Sequence, residues 1–155
     1  MEPVTYDTLV VRTYQHGGID DKKGLILRNE ILNLAVGIGE GSVNFIYSNH
    51  EEEVEQIKIG AFIENRIVGT LNLVPQEDGT LLLRQFAVTT KLQGMGIGRK
   101  LMDFAHGVAK EQGCMRIVLE ARQNVCEFYA KCGYKRTGKQ TVYPQVVLEE
   151  MYIDF

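Results

Sequence analysis

The chain has 155 residues, 45% of them apolar and 24% charged, a balance that suits one globular domain with its own core. Its net charge of −3 and pI near 5.6 exclude the broad basic surface that nucleic-acid binding requires. They suit a cationic small-molecule or peptide partner without deciding for one.

Three cysteines, Cys114, Cys126 and Cys132, form no Cys-x-x-Cys pair. Reduced thiols are therefore expected, rather than a disulfide framework or a zinc site. The start Met1-Glu2-Pro3 has no basic and apolar leader pattern. No apolar run approaches the ~20 residues needed to cross a bilayer. A cytoplasmic protein with no membrane partner is expected.

Residues 8–14 (TLVVRTY) are rich in β-branched and aromatic types and predict a strand. After His16-Gly17-Gly18, Asp20 or Asp21 can cap a helix through Leu25, Ile26, Arg28, Ile31, Leu32 and Ala35, where apolar residues recur at three- and four-residue steps. The glycine-spaced stretch from Gly37 to Ser48 predicts a loop or short irregular helix. Glu51-Glu52-Glu53 reads as a solvated loop face. Residues 57–64 and 67–74 alternate around an Asn65-Arg66 turn and predict a hairpin. A second turn at residues 76–79 leads to an apolar, central strand at 80–89.

The period then changes. Ile97, Leu101, Phe104, Ala105, Val108 and Ala109 share one helical face, which Gly113 ends. Residues 115–119 (MRIVL) predict a buried strand, so strand, helix and strand form a βαβ crossover. Val125, Phe128, Tyr129 and Cys132 predict a short amphipathic helix ended by Gly133. Strands from Tyr134 and over 146–153 finish the sheet. The fold class is α+β: a mixed central sheet, antiparallel in its first half and βαβ in its second, flanked by helices.

Gln93-Gly94-Met95-Gly96-Ile97-Gly98 joins a strand to a helix. The unpaired N–H groups of a helix start attract anions, and glycines let a phosphate come close. Arg99 and Lys100 add positive charge. A Walker loop is excluded, because Gly98 is followed by Arg99-Lys100-Leu101. A dinucleotide fingerprint fails in both registers, at Arg99 and at Leu101.

This loop, the preceding Phe86-Ala87-Val88 and a second block, Leu119-Glu120-Ala121-Arg122 through Phe128-Tyr129-Ala130-Lys131-Cys132-Gly133-Tyr134, resemble the GNAT superfamily of acyl-CoA N-acyltransferases. The loop matches the family's Gln/Arg-x-x-Gly-x-Gly/Ala pattern, and the second block its Phe-Tyr-x-x-x-Gly-Phe/Tyr signature. The resemblance covers about a third of the chain and implies a single N-acetyltransferase domain over residues 1–155.

It also implies roles. Amides of Gly94, Met95, Gly96, Ile97, Gly98 and Arg99 would hold the CoA pyrophosphate, with Gln93 in the same motif. Main-chain groups of Phe86, Ala87 and Val88 would pair with the pantetheine arm, near Phe128. Tyr129 would protonate the leaving thiolate. Many members carry Asn seven residues before the tyrosine. Arg122 stands there, and Asn124 lies five residues before; Asn124 is grouped with the CoA residues.

The implied reaction moves an acetyl group from acetyl-CoA, as cosubstrate, to a primary amine by direct attack in a ternary complex, with no metal. Glu120 is the first candidate base, with Glu149, Glu150 or a water chain as others. Arg84 and Gln85 sit on the central strand, where one can face the substrate. Cys126 and Cys132 suit a packed helix face better than a nucleophile's place, and His16, His50 and His106 show no motif. The alternatives are a non-catalytic acyl-CoA sensor and an unrelated mononucleotide-binding protein. The acceptor, a small-molecule or peptide amine, is expected to be shaped by residues 19–55. A homodimer paired through an exposed strand at 146–153 is a further expectation.

Overall fold

The computed structural model describes residues 1–33, 50–144 and 146–155. The expected loop at 37–48 and the helical position Ala35 lie outside the described residues. All the described strands belong to one sheet. They are β1 (Val4–Tyr6), β2 (Leu9–Tyr14), β3 (Ile57–Ile63), β4 (Arg66–Pro75), β5 (Leu81–Val88), β6 (Arg116–Arg122), β7 (Lys135–Val142) and β8 (Val147–Asp154), in the spatial order β1-β2-β3-β4-β5-β6-β8-β7. Every neighbouring pair is antiparallel except β5–β6, which is parallel. The crossover between those two strands carries the helix α2 (Ile97–Glu111). The other α-helices are α1 (Ile19–Arg28) and the short α3 (Cys126–Lys131).

Two adjacent residues of β4 show how the sheet separates its faces, because successive strand side chains point opposite ways. A Cβ on Gly69 would lie 2.8 Å from Leu101 of α2. Thr70 instead shares a 2.6 Å hydrogen bond with the Tyr14 hydroxyl, which would itself meet a Cβ on Gly24 of α1 at 2.7 Å. So α2 covers one face and α1 the other. The α2 face is apolar throughout: Leu71, Leu101, Ala105 and Ile117 are fully buried there, as the 3.6-residue period required. The α1 face is different. It buries Asp21, Arg28, Glu53 and Lys58, each at 5% exposure or less.

Several expectations change in detail. The short β1 carries too few residues to announce itself. Gly18, not an aspartate, is the N-cap of α1, and Asp21 instead accepts a 2.7 Å bond from the Gly17 amide. The helix ends at Arg28 and passes into a π-helical turn, Asn29–Asn33. The acidic run forms a 3-10 helix, His50–Glu55, and is no simple solvated loop, since Glu53 turns inward to Arg28. The hairpin turn sits at Glu64 and Asn65, both left-handed (φ 49° and 64°), so Arg66 already belongs to β4. The strand expected at 115–119 extends to Arg122. Finally, β8 lies between β6 and β7 with both edges paired, so it is not free to join a second copy; β7 is the edge strand at that end of the sheet.

Candidate acyl-transfer site

The parallel pairing of β5 and β6 lasts only three positions, Leu81–Leu83 against Ile117–Leu119. Beyond it the strands part. The cause is visible in β5: Gln85 adopts φ +57°, and the β4–β5 register shifts between Thr70 and Asn72. A bulge of this kind bends its strand and releases ladder groups. The edge of β5 from Gln85 to Val88 therefore has no β6 partner. A cleft of about 660 Å³ opens there, lined by that edge, by the start of α2, by the end of β6 and by α3.

The glycine loop forms one end of this cleft. Gly94 and Gly96 take φ of +85° and +84°, which only glycine adopts without strain. Gly96 is the N-cap of α2, with no side chain capping it. The amides of Ile97, Gly98 and Arg99 open the helix and have no intrahelical acceptor. Gly98 sits at a tight contact of another kind: a Cβ there would lie 3.2 and 3.3 Å from the Phe128 and Phe86 rings, which would have to give by a few tenths of an ångström. Two of the expected loop contributions differ. The Met95 amide is turned to the Leu92 carbonyl at 3.4 Å. The Gln93 side chain donates to the Val88 carbonyl at 3.0 Å, which ties the loop to the strand and occupies that carbonyl.

Against the loop's helical end stands an aromatic wall. Phe86, Phe128 and Tyr129 pack edge to face, with centroids 5.3–6.1 Å apart. Tyr129 is buried yet borders the cleft, and its hydroxyl has no hydrogen-bond partner among the described residues. Burial drives its pKa far above the ordinary tyrosine value; the nearby Cys132 pushes the same way and Arg122 opposes. At neutral pH it is a protonated donor. Glu120 lies on β6, one step past the last β5–β6 pair, exposed and on the cleft. Asn124, in the 3-10 turn Gln123–Val125, also borders it, as do Arg84, Gln85 and Arg122. Glu149 and Glu150 do not; Glu149 is held by Gln140 at 2.5 Å. Cys126 and Cys132 are buried and off the cleft, as packing predicts. His106 is half-buried in α2 and off the cleft, bonded to the Tyr134 hydroxyl at 2.9 Å, and burial lowers its pKa.

The sequence spacing missed a second cluster, on the α1 face. Arg28 holds Glu53 through two 2.8 Å bonds. Lys58 reaches Asp21 at 2.6 Å and Glu53 at 2.9 Å. Burial alone would raise both carboxyls, but the bonds from Gly17, Lys58 and His50 to Asp21, and from Arg28 and Lys58 to Glu53, outweigh it and hold both below their usual values. His16 and His50 stack at 4.6 Å and close on Asp21, bringing three potential metal-ligand atoms, two imidazole nitrogens and a carboxylate oxygen, within 4.8 Å of one another. Residues this far apart in the chain carry no spacing signal. Lys58 already supplies the positive charge there, 3.1 Å from His16 Nδ1.

Comparison with known proteins agrees with this architecture. The chain is 28% identical to streptothricin acetyltransferase from Escherichia coli over 94 residues, 59% of this chain and 54% of that protein. It thus spans about half the length of that relative. Among solved structures, an acetyltransferase of the GNAT family from Staphylococcus aureus Mu50 superposes with a TM-score of 0.74 at 20% identity, covering 94% of this chain and 98% of the other. An aminoglycoside 6'-N-acetyltransferase complexed with coenzyme A gives 0.72 at 18% identity, covering 93% and 96%. The family model for the GNAT acetyltransferases matches residues 35–134, which include the parted strands, the glycine loop and the Tyr129 helix; the chain belongs to the GNAT acetyltransferase family.

Proposed function

We propose that this protein transfers an acetyl group from acetyl-CoA to the primary amine of a small molecule, by direct attack within a ternary complex. One observation carries the reading: an unpaired strand edge, a run of helix-opening amides and an unpartnered tyrosine hydroxyl all border the same cleft. The amides of Ile97, Gly98 and Arg99, with those of Gly94 and Gly96, would hold the pyrophosphate, and Arg99 would add charge. The β5 edge from Gln85 to Ala87 would pair with the pantetheine as a further strand, with Asn124 and Phe128 flanking it. The Met95 amide and the Val88 carbonyl are left out of this role by their own bonds.

The amine nitrogen attacks the thioester carbonyl carbon. As the C–S bond breaks, the sulfur leaves with the electron pair and takes the Tyr129 proton. The proton shed by the amine passes to Glu120, directly or through water. No acyl-enzyme is needed, in keeping with the burial of Cys126 and Cys132. One relative is named for streptothricin and a structural neighbour for aminoglycosides, which supports a small-molecule amine as acceptor.

Two measurements test the proposal. Acetyl-CoA should raise the melting point, whereas ATP and NAD should not. A panel of amines should then release free CoA and gain the mass of an acetyl group. Tight CoA binding with no transfer to any amine would replace the enzyme by an acyl-CoA sensor; no CoA binding would remove both.

A further inference from the structure

We propose that the acceptor carries an anionic group beside its amine, and that Arg122 is the specificity-determining residue that reads it, with Arg84 as a second cation. The inference rests on the acyl-transfer reading and names the chemistry of its acceptor.

Three described arginines are at least partly withdrawn from solvent: Arg12 is half-buried, Arg28 is buried and Arg122 is half-buried. The first two are neutralised, by Asp20 at 2.9 Å and by Glu53 at 2.8 Å. Arg122 has no carboxylate partner among the described residues. One of its five N–H groups donates to the Leu32 carbonyl at 3.0 Å, which ties the guanidinium to the π-helical turn; the residue lines the cleft, and its other N–H groups have no partner among the described residues. Partly withdrawing a guanidinium from water without a counter-ion carries a cost, and at the half-buried Arg122 it shows as a downward pull on its pKa. A ligand anion would remove the cost.

The strand geometry places the other charges beside it. Arg84 pairs in register with Asn72, which pairs in turn with Lys58, so Arg84 belongs to the α1 face of the sheet. Glu120 precedes Arg122 by two residues and shares its face of β6, which the Leu32 contact identifies as the same side. Where β5 and β6 part, the α1-side wall thus carries two arginines and one glutamate. An acceptor bearing only ammonium groups would be repelled by the arginines. An amine that also bears a carboxylate or phosphate would set the anion on Arg122 and its nitrogen toward Glu120, the base proposed above. Planar, bidentate pairing with either oxyanion is what a guanidinium does best.

The test uses acetyl-CoA and acceptors of equal chain length: an α,ω-diamine, an ω-amino carboxylate and an aminoalkyl phosphate. The wild type should favour at least one anionic amine over the diamine by about tenfold or more in kcat/KM. Arg122→Gln should collapse that ratio, mainly through KM, and Arg122→Lys should restore part of it. The better of the two anions identifies the source of the charge. A diamine preferred by the wild type, or a ratio that survives Arg122→Gln, would overturn the inference. Should none of the acceptors turn over, calorimetric binding of the same compounds to the protein–CoA complex decides by the same criterion. Absence of Arg122-dependent binding of both anionic amines counts against it. Thermal stabilisation by CoA alone, read separately, tells whether the acyl-transfer reading has failed instead.

Discussion

Tyr129 and the loop glycines make separable demands at the residue scale. Tyr129→Phe keeps the aromatic wall against Phe86 and Phe128 and removes only the hydroxyl. If that hydroxyl gives up the proton to the thiolate, kcat should fall about 10²–10⁴-fold. CoA affinity should change less than twofold, as fluorescence titration would show; a kcat within threefold of wild type would remove Tyr129 from the acid role. The loop makes the opposite prediction. Gly96→Ala forces a left-handed residue (φ +84°) at about 1–2 kcal/mol and sets a Cβ beside the amides proposed for the pyrophosphate. Gly79→Ala in the β4–β5 turn forces the same strain (φ +83°) away from the cleft. Both should lose similar melting temperature in the free protein. Only Gly96→Ala should weaken CoA binding, by about tenfold, and equal affinity in the two variants would refute the loop as the pyrophosphate site.

At the scale of elements, α1 is held to the sheet by charge as much as by apolar contact. Lys58 is fully shielded between Asp21 and Glu53, so Lys58→Met would leave two buried carboxylates competing for Arg28 and the histidines. Breaking a buried pair from one side costs about 3–5 kcal/mol, or about 10 °C in a domain of this size. Scanning calorimetry of the variant would measure it, and a drop under 3 °C would mean that α1 is held mainly by packing, through Tyr14, Leu25 and Leu27. This face also marks where the sequence stopped being readable. Elements whose side chains repeat with one period were legible: the β3–β4 hairpin, the α2 face and the Phe128–Tyr129 helix. The glycine loop was legible because its composition is the one a phosphate site would demand, and Gly94 and Gly96 do take the positive φ that glycine permits. The burial of Glu53 was not, because a run of three glutamates gives no sign of which one meets Arg28, 25 residues earlier. Nor was the left-handed Gln85, although it is what parts the strands, since glutamine has no preference for that conformation. The placing of β8 between β6 and β7 is a long-range pairing that no local pattern encodes.

For the whole molecule, the same carboxylates set the response to acid. Asp21 and Glu53 both titrate below their ordinary values in the folded protein, 3.8 and 4.5. The unfolded chain therefore binds protons first as the pH falls. The stabilisation is complete above the unfolded values and is lost progressively as the pH drops through them toward the depressed folded values. Asp78 and Asp154 are also lowered, by Thr80 and by Arg116, but they are fully exposed and weigh little against the buried pair. Among the described residues the cleft carries no comparable buried carboxylate, since Glu120 is exposed. Urea midpoints should thus hold steady in the Asp21 and Glu53 contribution down to about pH 5 and then fall steeply toward pH 3. Glu53→Gln should start from a lower midpoint at pH 7, because Arg28 and Lys58 lose half their counter-charge, yet show a shallower decline below pH 5. A variant as acid-sensitive as the wild type would locate the acid-labile charges elsewhere in the fold. Because α1 leads directly into the π-helical turn that Arg122 grips, acid that loosens this face should weaken the acceptor binding proposed at Arg122 before it weakens the CoA binding proposed at the start of α2, as calorimetric titrations of each at falling pH would show.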